Sequence, residues 1–130
     1  MPVAKGKFDV KRTPIVDADG EPALQRFRLD KTFYGALSAK SRGMMLAMGN
    51  ASGSAGYVAM ERVEGTLDGK RGSFALQHSG TMDRGRPSLV IIVVPDSGTD
   101  ELTGLSGFAS IDISTGVHEY TFEYELRAAS

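Results

Sequence analysis

Residues 118–126 read HEYTFEYEL, and the side chains alternate in character along the whole stretch. His118, Tyr120, Phe122, Tyr124 and Leu126 fall on one face; Glu119, Thr121, Glu123 and Glu125 fall on the other. A period of two is the signature of an extended strand with one buried and one wet face. The segment 6–12 (GKFDVKR) repeats it with Phe8 and Val10. In residues 24–35 (LQRFRLDKTFYG), Phe27, Leu29 and Phe33 oppose Arg26, Arg28 and Asp30. Three other segments are apolar on both faces: GMMLAMG (43–49), AGYVAMERV (55–63) and SLVIIVVP (88–95). A strand of that kind must be covered twice.

Between these runs lie DADG, GNASGS, LDGKRG, MDRG, PDSGTD and STG. They are turn sequences in which Gly, Asn and Asp supply the left-handed backbone of tight hairpins. A single helical turn around TDELTG (99–104) is the only helical candidate, so the chain is expected to be all-β, with essentially no α-helix. About eight antiparallel strands follow. With no helix to cover a second apolar face, a closed antiparallel β-barrel fits better than a sandwich. The lumen takes one face of each strand, and a second copy of the chain covers part of the outside. LVIIVV and the methionines Met44, Met45 and Met48 are the expected interface, in a homo-oligomer of two or three copies. One domain over residues 1–130 accounts for the whole length.

The 15 basic and 16 acidic residues are dispersed and nearly cancel. Such a chain lacks the basic excess that binds nucleic acid. No run approaches a membrane span, and the first residues, MPVAKGKFDVKR, contain no apolar export segment. A cytoplasmic protein is expected. Without cysteine there is no disulfide, thiolate metal site or thiol nucleophile. The two histidines occur in no metal-binding spacing, and no cofactor or metal is expected. GTLDGKRGS (65–73) and GTDELTGLSG (98–107) do not match a phosphate loop, and no nucleophile elbow surrounds a serine.

The segments GSFALQHSGTM, VVPDSGTDELTGLSG and HEYTFEYEL resemble a bacterial family catalogued as domain of unknown function 3224. Its recurrent Gly-Ser-Phe-x-Leu-Gln-His-x-Gly-Thr stretch corresponds to Gly72–Thr81. KTFYGALSA (31–39) and YVAMERVEGTLDGKRGSF (57–74) fit the same pattern. The resemblance implies an allene oxide cyclase-like barrel. SGTDELTGLSGFASI (97–111), with Gly98, Gly104 and Gly107, looks like the glycine-rich strand-turn-strand of allene oxide cyclases and dirigent proteins. Those relatives accept an apolar ligand in the lumen and form trimers. No cyclase carboxylate aligns with a residue of this chain, so no activity is carried over.

Two residues stand out as catalytic candidates. Glu61 shares a strand face with Tyr57, Ala59 and Val63, where a carboxylate needs a partner or a raised pKa. It is either an acid/base or ligand-orienting group, or an ion-pair partner of Arg26, Arg28 or Arg71. His78 is in phase with Phe74 and Leu76. It is either an acid/base group in an apolar cavity or a ring bonded to a carbonyl where the strand ends. The expected ligand-binding set is Tyr57, Phe74, Leu76, His118, Tyr120, Phe122 and Tyr124. Gly43, Ala47, Ala59, Ala75 and Ala109 leave room in the lumen. The leading expectation is a barrel that binds a small, mainly apolar ligand. A cyclase or isomerase working through Glu61 and His78, and a solid barrel serving assembly alone, are the alternatives.

Overall fold

The structure, a computed structural model, describes residues 1–16, 24–50 and 52–127. The expected turn at DADG (17–20) lies outside the described residues. Eight strands follow one another in chain order: β1 (Val3–Pro14), β2 (Gln25–Gly35), β3 (Leu37–Gly49), β4 (Ala55–Leu67), β5 (Lys70–Asp83), β6 (Arg86–Val93), β7 (Leu105–Asp112) and β8 (Glu119–Leu126). Each pairs antiparallel with the next, and β8 pairs back with β1, closing an up-and-down barrel. A single 3-10 turn, Asp100–Leu102, stands where one helical turn was expected.

Local chemistry sets the hairpins. The β4–β5 and β5–β6 turns are two-residue connections, Asp68-Gly69 and Arg84-Gly85, with positive φ at both positions. This is the type I′ geometry whose twist matches the flanking strands. Registers then follow, and with them the inward and outward sets of side chains. Phe8, Leu29, Phe33, Val63, Phe74, Leu76, Ile91, Val93, Tyr120, Phe122 and Tyr124 point inward and form the core.

The two ends of the barrel differ. At one end Leu37, Leu67 and Leu105 pack with Leu102 of the 3-10 turn, and all are buried. The β6–β7 connection thus folds back as a plug; Thr99 ties it to β5 by accepting from the Ser73 amide at 3.0 Å. At the other end the inward positions are only partly covered. Phe27, Met45, Ala47, Tyr57 and Ile111 are half-buried, and Val10 and Leu89 are more exposed still. One end of the barrel is therefore sealed and the other only partly covered.

Three details depart from the sequence reading. Met45 turns inward on β3 while Met44 and Met48 face out, so the interface candidates divide between the two faces. Ala75 lies between the inward Phe74 and Leu76 and so points outward, leaving lumen space to Gly43, Ala47, Ala59 and Ala109. His118 precedes β8 rather than opening it, although its carbonyl continues the ladder by accepting from the Phe8 amide at 3.0 Å.

Candidate functional site

Glu61 sits on β4 with its side chain fully buried, facing the lumen. The register puts Gly43 on one side of it and Leu76 on the other. Gly43 is required there. A Cβ at that position would lie 2.2 Å from the Met60 carbonyl oxygen and 2.7 Å from the Cα and Cβ of Glu61. The close approach of the β3 backbone holds the Glu61 stem in place.

Two basic side chains converge on the carboxylate. Lys31, from β2, places Nζ 2.7 Å from Glu61 Oε2. His78, from β5, places Nε2 3.3 Å from the same oxygen. Burial of the carboxyl works to raise its pKa, but the His78 and Lys31 contacts outweigh burial and hold Glu61 below the ordinary carboxylate value. The group is an ionised carboxylate bracketed by an ammonium and an imidazole. Lys31 also lies over the Phe8 ring, 5.3 Å from its centroid, a cation–π contact that shields it from solvent.

The cluster is well paired in charge and poorly paired in direction. Both Glu61 oxygens, His78 Nε2 and the Oγ of Ser41, the β3 neighbour of Lys31, are buried without a hydrogen-bond partner. Buried polar atoms are nearly always partnered, and exceptions concentrate where water or a ligand completes the set. Together they offer acceptors at Glu61, donors at Lys31, and a hydroxyl that does either.

Tyr57 connects this cluster to the mouth. It lies two alternate positions before Glu61 on the same face of β4, half-buried, and its ring covers Gly80 of β5 so closely that a Cβ there would be 2.3 Å from it. Its phenol pKa is raised, first by burial and then by the charge of Glu61. Further out, the Arg12 guanidinium stacks over the Phe27 ring at 4.8 Å.

The remaining sequence candidates are occupied elsewhere. Phe74 and Phe122 stack on each other with centroids 5.8 Å apart, filling the core. Tyr120 donates to the Tyr34 carbonyl at 2.9 Å and accepts from the Leu37 amide at 2.9 Å, fastening the β2–β3 turn. The Tyr124 hydroxyl bonds the Asp68 carboxylate in the β4–β5 turn. His118 is exposed and packs its ring on Phe8 at 5.1 Å. Leu76 is the cross-strand neighbour of Glu61. Of the expected set, then, Glu61 and His78 meet directly, with Tyr57 and Leu76 beside them.

The ion partner of Glu61 is none of the three arginines expected but Lys31. Its signal was parity: Lys31 falls in phase with Phe27, Leu29 and Phe33, a charge embedded in an apolar face like Glu61 itself. A groove of about 1030 Å³ runs over the outer wall of β1–β5, with Lys11, Lys40, Arg42, Arg62 and Arg71 interspersed with Asp9, Asp30 and Glu64. Its mixed charge and open form distinguish it from the buried cluster across the wall. Among the described residues no group of three or more His, Asp or Glu side chains could hold a metal ion, and no helix is long and apolar enough to cross a membrane.

No curated protein matches the chain. Among solved structures it is similar to a crystal structure of a protein of unknown function from Shewanella oneidensis MR-1. The two share 50% identity, 99% of each chain is covered, and the TM-score is 0.92. That protein is described as a member of the DUF3224 family. The model of that family, described as protein of unknown function (DUF3224), matches residues 4–124, and the chain with its buried Lys31–Glu61–His78 cluster belongs to it.

Proposed function

We propose that the barrel binds a small, mainly apolar molecule through its open mouth, with one polar end held by Glu61, Lys31, His78 and Ser41. The observation that carries this reading is the set of buried, directionally unpartnered polar atoms beneath a half-covered apolar mouth. Binding sites of this kind are concave and mostly apolar, with a few polar groups that fix orientation. The ionised Glu61 suits a ligand that donates a hydrogen bond, as a hydroxyl or amide N–H does. An enzymatic version of the same site would use Glu61 or His78 to move a proton, and the 3.3 Å separation of the two supports it as the second reading.

The test is native mass spectrometry of the protein purified from its own cells, followed by titration with 1-decanol and decanoate as probes. A retained organic molecule, and preference for the alcohol over the carboxylate, is the expected result. Glu61→Gln is expected to weaken decanol binding at least tenfold. Absence of any retained molecule together with no binding of either probe overturns the proposal.

A further inference from the structure

The barrel is closed unevenly around its circumference. The β5–β6 ladder runs unbroken from Leu76–Val93 to Asp83–Arg86, and the β7–β8 ladder from Leu105–Leu126 to Asp112–Glu119. Between β6 and β7 two partner pairs alone join the strands, Ile91–Ala109 and Ile92–Phe108. Both strands continue past them towards the partly covered end, as far as Arg86 on one and Asp112 on the other. Extended in the same register, Val90 would meet Ser110 and Leu89 would meet Ile111, yet neither pair forms. The side chains show the same break. Ile91 and Val93 face inward and are 2% and 5% exposed, whereas Leu89, next on that face, is 39% exposed. The backbone edges at residues 88–90 and 110–112 thus run side by side without a ladder and are left to solvent.

At the sealed end the same two strands are fastened. The chain leaves β6 and turns onto β5, where the Val94 amide donates to the Ala75 carbonyl at 2.9 Å and the Thr99 amide to the Ser73 carbonyl at 2.8 Å. The Ala75 amide donates in return to Ser97 Oγ at 3.0 Å. Leu102 and Leu105, where β7 begins, are buried in the core. The β1–β8 ladder is also short, but it is extended at both ends. There the Phe8 amide donates to the His118 carbonyl at 3.0 Å and the Tyr124 amide to the Pro2 carbonyl at 3.1 Å. A seam open at one end and anchored at the other is therefore particular to β6–β7.

We propose that β6 and β7 part at the partly covered end, hinged on the Ile91–Ala109 and Ile92–Phe108 pairs, and that this seam is the gate through which an apolar ligand passes. The gate rests on the binding reading above; the hinge rests on the ladder alone. Segments with few backbone hydrogen bonds and few buried contacts open at a small fraction of the cost of global unfolding. Parting the seam leaves the β5–β6 and β7–β8 ladders whole, because each strand moves with its other neighbour. In a ring of eight strands β6 and β7 stand across from β2 and β3, so the entrance widens opposite Phe27 and Met45. Leu89 and Ile111, inward on the two free edges, give the gate an apolar lip.

The chain has no cysteine, so Val90→Cys with Ser110→Cys puts one thiol on each edge of the seam and none elsewhere. With the seam closed, antiparallel neighbours one step beyond a formed pair are within disulfide reach. The oxidised double variant is expected to take up and release 1-decanol about tenfold more slowly than the same protein reduced with dithiothreitol, at unchanged affinity, as followed by stopped-flow tyrosine fluorescence. Amide hydrogen exchange of the wild type, resolved by NMR, needs no ligand. The amides bridging β6 and β7 are expected to exchange about a hundredfold faster than those bridging β3 and β4. Equal rates in the two ladders overturn the hinge, and equal decanol kinetics in oxidised and reduced protein overturn the gate. A fast seam in a protein that binds no decanol supports the hinge and overturns the binding reading, and the gate with it.

Discussion

Replacing Lys31 by Met tests whether the cluster is held together by charge. Methionine keeps the length and much of the packing against Phe8 but leaves Glu61, fully buried, with only His78 beside it. Breaking a buried ion pair by removing one partner costs about 3–5 kcal/mol. For 130 residues an unfolding entropy near 2.1 cal/mol/K per residue gives about 0.27 kcal/mol/K, so the expected fall in Tm is about 11–18 °C at pH 7. The domain still folds at 25 °C, because single domains have about 5–15 kcal/mol to lose.

The pH dependence distinguishes charge from packing. In the wild type the folded pKa of Glu61 is depressed, so its contribution is present above the unfolded value and disappears as pH falls through the folded one. Without Lys31 the burial that opposes ionisation is countered by His78 alone. The deficit of Lys31→Met relative to wild type is therefore largest near neutrality and shrinks as pH falls below the unfolded carboxyl value of about 4.3, where the unfolded chain takes up the proton first, and on through the depressed folded value. Adding Glu61→Leu to Lys31→Met removes both charges and recovers most of the lost stability. Calorimetry of wild type, single and double variants at pH 7 and pH 3.5 measures all of this. A fall of less than 3 °C in Lys31→Met, or a deficit that does not shrink at pH 3.5, refutes the reasoning.

Two further outcomes are expected. Gly43→Ala forces a methyl group against the backbone of Met60 and Glu61, neither of which can yield cheaply; the cost of such overpacking is about 1–3 kcal/mol, read as a lower urea midpoint at unchanged slope. The Tyr124 phenol, pushed up to about 12 by burial and by the Asp68 carboxylate, is expected to ionise late in an absorbance titration at 295 nm, and Asp68→Asn to bring that step to lower pH. Because its folded pKa lies above the unfolded value near 10, stability falls as pH rises from about 10 to 12.

The fold was legible because antiparallel strands write their period directly into the chain. In EYTFEYEL, Tyr120, Phe122 and Tyr124 are inside and Glu119, Glu123 and Glu125 outside, as read; only His118 falls outside the strand and is exposed. The double-faced segments also read true: Leu89, Ile91 and Val93 face in while Val90 and Ile92 face out. Glu61 and His78 could be nominated by the same parity, as polar groups on apolar faces. Their meeting could not, since it depends on the register of β4 against β5, where Glu61 opposes Leu76 and His78 opposes Ala59 one step along. Parity also marks Lys31, the one charge of its segment in phase with Phe27, Leu29 and Phe33, but Arg28 and Asp30 on the wet face beside it make a further charge there unexceptional. The difference between the two ends was beyond sequence altogether. It comes from Leu102 folding back over the barrel, and nothing in TDELTG announces where that leucine goes.

That folded-back leucine has a kinetic meaning. A channel open at both ends lets one molecule be pushed out by the next, whereas a blind cavity has a single doorway for arrival and departure. With Leu102 sealing one end among Leu37, Leu67 and Leu105, a molecule bound as proposed would enter and leave at the other end, past Tyr57 and Phe27. On that proposal a newcomer would have to wait for vacancy, and residence time would be governed at the doorway and not by how much ligand is outside.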